Sequence, residues 1–370
     1  MKVILICGAR PNFVKVSPVL RAIRRFNQEQ SNLFQPVLVH TGQHYDYEMS
    51  QLFFNDLELP QPDIYLGIGS GSHAEQTGKI MIAVEKVLLE QKPDLVTVVG
   101  DVNSTLAAAL AAVKLHIPLA HIEAGLRSYR LAMAEEVNRR LTDHISHYLF
   151  TTSRYDDENL RREGIAKSRI FRVGNIMVDS LLFYKPRAEE SSILSRLKLK
   201  EKCYALVTLH RPENVDNRQR LSQIGRALRR IASEVPLVFP VHPRTRNSII
   251  SLGLADLFEH DAIKRTAPLG YLDLLNLEMN SRFVITDSGG IQVETTVLGI
   301  PCLTVLDSPV WTITHRQGTN ILVGSDGVKL VQLAFRILDG RSRKGKCPEL
   351  WDGRTAERIL GALSKKPASD

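Results

Sequence analysis

Short apolar runs separated by amphipathic stretches set the pattern of this chain. Val3–Cys7, Val37–His40, Leu95–Val99, Pro118–Ile122 and Tyr148–Thr151 are largely apolar runs of four or five residues, as expected of strands buried on both faces. Helical spacing follows them. Pro11 suits the first turn of a helix that continues through Val16, Leu20, Ile23 and Phe26, and Thr105–Leu115 and Arg154–Glu163 repeat the pattern further on. Such alternation predicts βαβ units around a parallel sheet.

Around Lys185–Lys202 the periodicity fades into Lys-Pro-Arg-Ala-Glu-Glu-Ser-Ser and then Leu-Lys-Leu-Lys-Glu-Lys, which predicts an exposed connection. Strands resume at Tyr204–Leu209, Leu237–Val241, Phe283–Thr286 and Cys302–Val305, and a closing helix is predicted at Arg354–Leu363. The expected fold is α/β, with two Rossmann-like domains facing a central cleft. Residues 1–172, joined by a C-terminal helix at 353–370, form one domain, and residues 173–352 form the other. A length of 370 residues suits two such domains.

Composition narrows the class without naming an activity. With 44% hydrophobic and 24% charged residues the chain can bury full-sized cores and is neither disordered nor fibrous. No apolar run approaches the ~20 residues that span a bilayer. The run after Met1 is shorter than a signal peptide's and reads as a first strand, which points to a cytoplasmic protein. Cys7, Cys203, Cys302 and Cys347 are far apart and lack Cys-x-x-Cys spacing, so neither a disulfide framework nor a metal site is expected. A net charge of +8 favours an anionic partner. The basic residues are dispersed, however, and no nucleic-acid module is recognisable.

Open α/β sheets bind ligands at the carboxyl ends of their strands, so the residues just after predicted strands are the functional candidates. After the first strand, Gly8-Ala9-Arg10-Pro11-Asn12-Phe13-Val14-Lys15 sets Arg10 and Lys15 around a helix start, a plausible phosphate seat; plain solvated basic residues are the alternative. It matches neither the P-loop nor the Gly-x-Gly-x-x-Gly fingerprint, which argues against an ATPase or an NAD domain. Gly67-Ile68-Gly69-Ser70-Gly71-Ser72-His73 matches neither as well and reads as a flexible loop before a helix. Asp101 follows the strand Leu95–Val99, Glu123 ends the strand Pro118–Ile122, and Glu135, Glu136 and Arg139 open the next helix. Acids in a first helical turn are common caps. Three carboxylate-bearing segments at one sheet edge are also the means to divide acid and base roles.

In the second half His210 and His242 directly follow strands and can donate to a phosphate. Thr286-Asp287-Ser288-Gly289-Gly290-Ile291-Gln292-Val293-Glu294 is a strand, a Ser-Gly-Gly turn and a helix start. Its amides can approach a phosphate closely, with Glu294 about one helical turn on, near a sugar hydroxyl.

Gly8-Ala9-Arg10-Pro11, Thr41-Gly42-Gln43-His44, Gly100-Asp101, His121-Ile122-Glu123-Ala124-Gly125-Leu126-Arg127, Glu135-Glu136-Val137-Asn138-Arg139, Leu209-His210-Arg211 and Asp287-Ser288-Gly289-Gly290-Ile291-Gln292 together closely resemble the non-hydrolysing UDP-N-acetylglucosamine 2-epimerase family. The resemblance runs from residue 1 to about residue 340. It implies a GT-B-like fold, usually a homodimer, and inversion at C2 of the sugar without NAD or any other cofactor. UDP is eliminated anti with loss of the C2 proton to give 2-acetamidoglucal, and re-addition follows with protonation on the other face. By resemblance Asp101, Glu123 and Glu135 are the catalytic carboxylates, and His210, Arg10, Lys15 and the Ser288-Gly289-Gly290 amides meet the departing UDP. Arg139 and His242 also contact substrate, Glu294 holds the ribose, and Leu274 packs on uracil. Residues 173–352 would then be the UDP-binding domain, in an enzyme supplying a sugar for surface polysaccharide.

Some positions depart from that family. Pro309-Val310-Trp311-Thr312 stands where many members have Thr-Glu-Arg-Pro, and a tryptophan cannot make an arginine's bidentate contact with phosphate. Gly8-Ala9-Arg10-Pro11-Asn12-Phe13 and Trp311 also resemble the related 2-epimerases of UDP-2,3-diacetamido uronic acids. Pro212 replaces the second arginine of the usual His-Arg-Arg-Glu-Asn run. Asp46 lies in the region where bacterial relatives hold a regulatory UDP-sugar. A hydrolysing epimerase, a GT-B glycosyltransferase and a non-catalytic UDP-sugar sensor are the competing functions. A transferase has no use for carboxylates that carry a C2 proton, and only Trp311 favours a sensor.

Overall fold

In a computed structural model, residues 1–8, 10–29, 33–42 and 61–365 are described. Two compact units emerge: residues 1–183 with 349–370, and residues 184–348. The first is built on a parallel sheet of β1 (Lys2–Cys7), β2 (Gln35–His40), β3 (Ile64–Tyr65), β4 (Leu95–Val99), β5 (Leu119–Ala124), β6 (Tyr148–Thr151) and β7 (Ile170–Arg172). Its strand order is β3-β2-β1-β4-β5-β6-β7. Every residue of β4 and β5 is buried, as a parallel sheet covered on both faces requires. The helix Asn103–Lys114 presents Ala107, Ala108, Ala109, Ala111 and Ala112 to the core, and side chains this small let it lie close to the strands.

The second unit repeats the plan with β8 (Ala205–Thr208), β9 (Leu237–Pro240), β10 (Ile263–Thr266), β11 (Phe283–Thr286), β12 (Cys302–Thr304) and β13 (Asn320–Leu322). The order here is β10-β9-β8-β11-β12-β13. In each sheet the order reverses once, between β1 and β4 and between β8 and β11. Such reversals are where open α/β sheets make their ligand crevices.

One expectation needs correction. Residues 185–202 are not simply an exposed connection: the helix Ile176–Glu189 runs through Pro186, and a short helix, Ile193–Arg196, follows. Leu181, Tyr184 and Ala188 form a buried stripe at helical spacing, and Ile193 is buried as well. The charged residues between them supply the outward face, which hides the stripe in a linear reading. The Gly-rich stretch before His73 ends in a helix start, with the Ser72 hydroxyl accepting from the Glu75 amide at 3.2 Å.

The chain's last described helix, Thr355–Lys365, packs on the helix Arg10–Glu29 of the first unit. The carboxylate of Asp179 accepts from the Thr355 and Ala356 amides, at 3.1 and 2.8 Å. A negative charge on those free amides also meets the positive end of the helix dipole.

A buried and a half-buried histidine make stability depend on pH. The His40 ring stacks on Tyr65 with centroids 5.2 Å apart, and burial lowers its pKa to about 4. Burial, helped by the Arg343 charge, lowers His315 to about 4, and neither of its ring nitrogens has a hydrogen-bond partner among the described residues. Between about pH 6.5 and pH 4 the unfolded chain takes up protons that the folded one refuses, so this stability is present above the window and is lost as pH falls through it. As pH falls from about 7 to 5, we expect the thermal midpoint of the parent to lose ground against that of His315→Phe. Parallel curves for variant and parent would contradict the assignment.

Candidate active site

Three carboxyl groups of the first unit stand in different environments around the β4 and β5 ends. Glu123 lies within β5 at φ 71°, where the register with β6 shifts between Ile122 and Ala124. A non-glycine residue at positive φ is strained, and a bulge re-aims a side chain; both features concentrate at functional sites. Glu123 is buried, its Oε2 receives Lys15 Nζ at 2.5 Å, and its Oε1 has no hydrogen-bond partner among the described residues. Burial pushes the carboxyl up. The Lys15 ammonium opposes this, the Asp101 charge adds to it, and the pKa stays above the usual carboxylate range.

Asp101 follows Gly100, which has φ 73°. Its carboxylate Oδ2 receives both Nε (2.9 Å) and Nη2 (2.6 Å) of Arg139, and the Asn138 amide donates to its backbone carbonyl at 2.9 Å. A Cβ at position 100 would make ordinary contacts with Lys15 Nζ at 3.4 Å and Glu123 Oε2 at 3.8 Å, so it is the left-handed turn that calls for glycine and sets Asp101 beside these groups. Glu135 is half-buried at the start of the helix Ala134–Ile145. Its neighbour Glu136 is fully buried and accepts from Ser128 N and Oγ (2.7 and 2.9 Å), Tyr129 N, Arg139 and Arg140. Burial pushes Glu136 up, but those bonds outweigh it and hold the group below the usual range. Glu136 therefore pins the loop before its helix. Glu123 and Glu136, shifted in opposite directions, show how carboxyl groups near one sheet edge divide between chemical and structural roles.

A buried network behind this edge carries no role in the sequence reading. The His121 ring bonds Asp143 Oδ1 at 2.7 Å and the Gly100 carbonyl at 2.8 Å. Asp143 also pairs with Arg127 at 2.7 Å, and Arg127 reaches Glu163 through two bonds of 2.8 and 2.6 Å. His121 thereby anchors the turn that presents Asp101. The available signal was its spacing, two residues before Glu123, which on a regular strand puts both side chains on one face.

At the reversal of the second sheet, Asp287 follows β11 and is fully buried. It accepts from the His210 amide (3.0 Å), the Arg211 amide (3.0 Å) and Asn214 Nδ2 (3.0 Å), and its Oδ1 lies 3.1 Å from His210 Nδ1. Burial pushes Asp287 up, the His210 hydrogen bond and charge outweigh it, and the carboxylate is held below its usual range. A carboxylate on Nδ1 fixes the ring's orientation, and 39% of the His210 side chain is exposed. Ser288 caps the helix Gly289–Leu298 without a side-chain bond to it, so the first-turn amides and the helix dipole form an anion-binding end. A Cβ on Gly289 would stand 3.0 Å from Trp311 Nε1, which places the buried indole against that turn. Glu294 receives the Tyr271 hydroxyl at 2.8 Å. Leu274 is half-buried on the edge of a core cluster, and His242 is exposed, 5.7 Å from His210 between ring centroids.

The structure thus brings Asp101, Glu123, Lys15 and Arg139 together in the first unit, and His210, His242, Ser288, Gly289 and Gly290 around one sheet reversal in the second. Lys15 and Arg139, expected on substrate, are engaged with Glu123 and Asp101. The Arg10 side chain, Ala9, Gln43, His44 and Asp46 lie outside the described residues. Among the described residues no group of three or more His, Cys, Asp and Glu could hold a metal ion, and no helix is long and apolar enough to cross a membrane.

Comparison with known proteins gives concordant results. The UDP-N-acetylglucosamine 2-epimerase family model matches residues 27–364. A UDP-N-acetylglucosamine 2-epimerase homolog of Methanococcus maripaludis is 47% identical, over 90% of this chain and 91% of that protein. The UDP-2,3-diacetamido-2,3-dideoxy-D-glucuronate 2-epimerase of Pseudomonas aeruginosa is 43% identical, over 99% of this chain and 100% of that protein. The crystal structure of Methanocaldococcus jannaschii UDP-GlcNAc 2-epimerase in complex with UDP-GlcNAc and UDP superposes with a TM-score of 0.90 at 43% identity, covering 99% of this chain and 100% of that one.

Proposed function

The chain belongs to the UDP-N-acetylglucosamine 2-epimerase family and is an isomerase of a UDP-sugar, and we propose that it interconverts UDP-N-acetylglucosamine and UDP-N-acetylmannosamine without hydrolysis. The observation that carries this reading is the set of unlike carboxyl groups at β4 and β5: dry Glu123 at a strained bulge, and Asp101 clamped by Arg139. Inversion at C2 needs one group to remove a weakly acidic proton and another to return one from the opposite face. Asp101, Glu123 and Glu135 divide those roles. A glycosyltransferase, which leaves C2 untouched, has no such need.

Two bonds break in the first half-reaction. The C2 proton passes to a carboxylate, the C1–O bond to the β-phosphate breaks, and the electron pair left at C2 forms the C1–C2 double bond of 2-acetamidoglucal. Charge develops on the departing UDP, where His210, held by Asp287, and the amides of Ser288, Gly289 and Gly290 stabilise it. Arg10, Lys15, Arg139 and His242 complete the phosphate and sugar contacts as the carboxylates change charge. UDP then adds back to C1 while a second carboxyl group protonates C2 from the other side. Leu274 packs on uracil, and Glu294 receives the ribose hydroxyls.

We assign the enzyme to the cytoplasm, which the buried thiols of Cys7 and Cys302 support. We also assign it a homodimeric state, supported by the exposed Ile82 and Leu89 on the helix His73–Gln91. A UDP-2,3-diacetamido uronic acid as substrate is the second reading, favoured by Trp311 against the Ser-Gly-Gly turn.

Proton NMR of the protein with UDP-N-acetylglucosamine in deuterated water, without NAD, tests the proposal. Deuterium at C2 together with UDP-N-acetylmannosamine is the expected result. Free N-acetylmannosamine with UDP would establish a hydrolysing enzyme instead, and exchange only with the diacetamido uronic acid would establish the second reading.

A further inference from the structure

The second unit buries a second glutamate against the one assigned to the ribose. Glu278, on the helix Tyr271–Met279, is completely buried, and neither of its oxygens receives a hydrogen bond from an N–H or O–H group of the described residues. The group it does face is Glu294, on the helix Gly289–Leu298, with the two carboxyls in hydrogen-bonding range of each other. The other titratable groups around the pair are Tyr271, which donates to Glu294 Oε1 at 2.8 Å, Tyr184, whose ring meets that of Tyr271, and Cys302 on β12. None of these is a cation.

Two carboxylates cannot both stay ionised in such a place: each pays desolvation, and the like charges repel. One proton is therefore shared, and geometry decides where it resides. Glu294 accepts the Tyr271 O–H, which favours its charged form, whereas Glu278 has no donor to stabilise a charge. Burial first, then the Glu294 charge, pushes the Glu278 pKa well above the usual range.

We propose that Glu278 is a positioning residue for the nucleotide: its carboxyl O–H donates to Glu294 and holds that carboxylate, with Tyr271, as a fixed acceptor for the two hydroxyls of a ribose. This rests on the assignment of Glu294 to the ribose. A carboxylate held from behind by two O–H donors keeps its remaining lone pairs toward a diol and loses less rotamer freedom when the diol binds. A deoxyribose, lacking one hydroxyl, leaves one of those lone pairs unmatched.

The test compares Glu278→Gln, which keeps a donor, with Glu278→Met, which fills the same space without one. UDP affinity by calorimetry and the infrared band of a protonated carboxylic acid are the readouts. At about pH 8 the unaltered protein shows an acid band that both variants show diminished by one carboxyl group. Glu278→Gln binds UDP as the parent does, and Glu278→Met binds it about tenfold more weakly, the scale of one hydrogen bond to a charged group. Parental affinity in Glu278→Met, equal losses in both variants, or an acid band undiminished in Glu278→Gln would overturn the role. If the unaltered protein fails to bind UDP at all, the nucleotide assignment itself falls, and the role of Glu278 with it. Both variants are expected to unfold at or above the parental temperature, so weaker binding in Glu278→Met is not a loss of fold.

Discussion

Glu123→Gln is expected to lower turnover by roughly 10²–10⁴-fold, the range a positioned general acid or base contributes. UDP affinity, which the proposed function assigns to groups other than Glu123, should stay within about twofold of the parent. The amide keeps the shape of the glutamate and can still accept from Lys15, so the bulge in β5 has no reason to relax. What it loses is the ability to hold and release a proton. Burial and the Asp101 charge raise the pKa of Glu123 while Lys15 restrains that rise, which brings it nearer the working pH, where proton transfer in both directions is efficient. Steady-state rates with UDP-N-acetylglucosamine, set beside UDP binding, check the expectation. A variant with parental turnover would remove Glu123 from the chemistry.

Asp143→Ala is expected to lower stability by about 3 kcal/mol, because it removes one of the two carboxylates that pair with the buried Arg127 and leaves His121 Nδ1 and the Gly125 amide without their acceptor. Arg127 and Asp143 are both fully buried and pair at 2.7 Å, and the same carboxylate holds His121, which in turn holds the Gly100 carbonyl. Burial pushes the Asp143 carboxyl up, yet the bonds and charges of His121 and Arg127 keep it below the usual range. The exposed pair of Arg244 and Asp216 is the contrast, worth no more than ~1 kcal/mol. Turnover should fall as well, since the Asp101 turn loses its anchor. Urea unfolding checks the first part, and a midpoint within error of the parent would show that the network is not under electrostatic load.

Sequence and structure part company at particular residues. The central strands were legible because both faces are covered, which leaves continuous apolar runs such as Leu95–Val99 and Phe283–Thr286. The four strands absent from the sequence reading, Ile64–Tyr65, Ile170–Arg172, Ile263–Thr266 and Asn320–Leu322, are the four sheet edges. They are two to four residues long, and Lys264 and Arg265 point to water. Too few buried positions remain to make a period. At the site, position after a strand singled out Asp101, Glu123, His210 and the Ser-Gly-Gly turn. Pairing was not legible: that Lys15 reaches Glu123 across 108 positions, or Arg139 reaches Asp101, is a product of tertiary folding. The strained φ of Glu123 left no mark in its residue type either. Glu136 and Glu278 make the same point from the opposite side. Both are buried glutamates, one committed to five donors and the other to none, and nothing in their neighbouring residues tells them apart.

The central claim is that the bond between C1 and the UDP oxygen breaks and re-forms while the sugar stays on the enzyme. UDP-N-acetylglucosamine carrying heavy oxygen in the bridge between C1 and the β-phosphate reads this directly. Released UDP can rotate its β-phosphate before it adds back, so the label should scramble into the non-bridging positions of recovered substrate and product at a rate comparable to epimerisation. Epimerisation with the label retained wholly in the bridge would contradict elimination and require inversion at C2 with the C1–O bond intact.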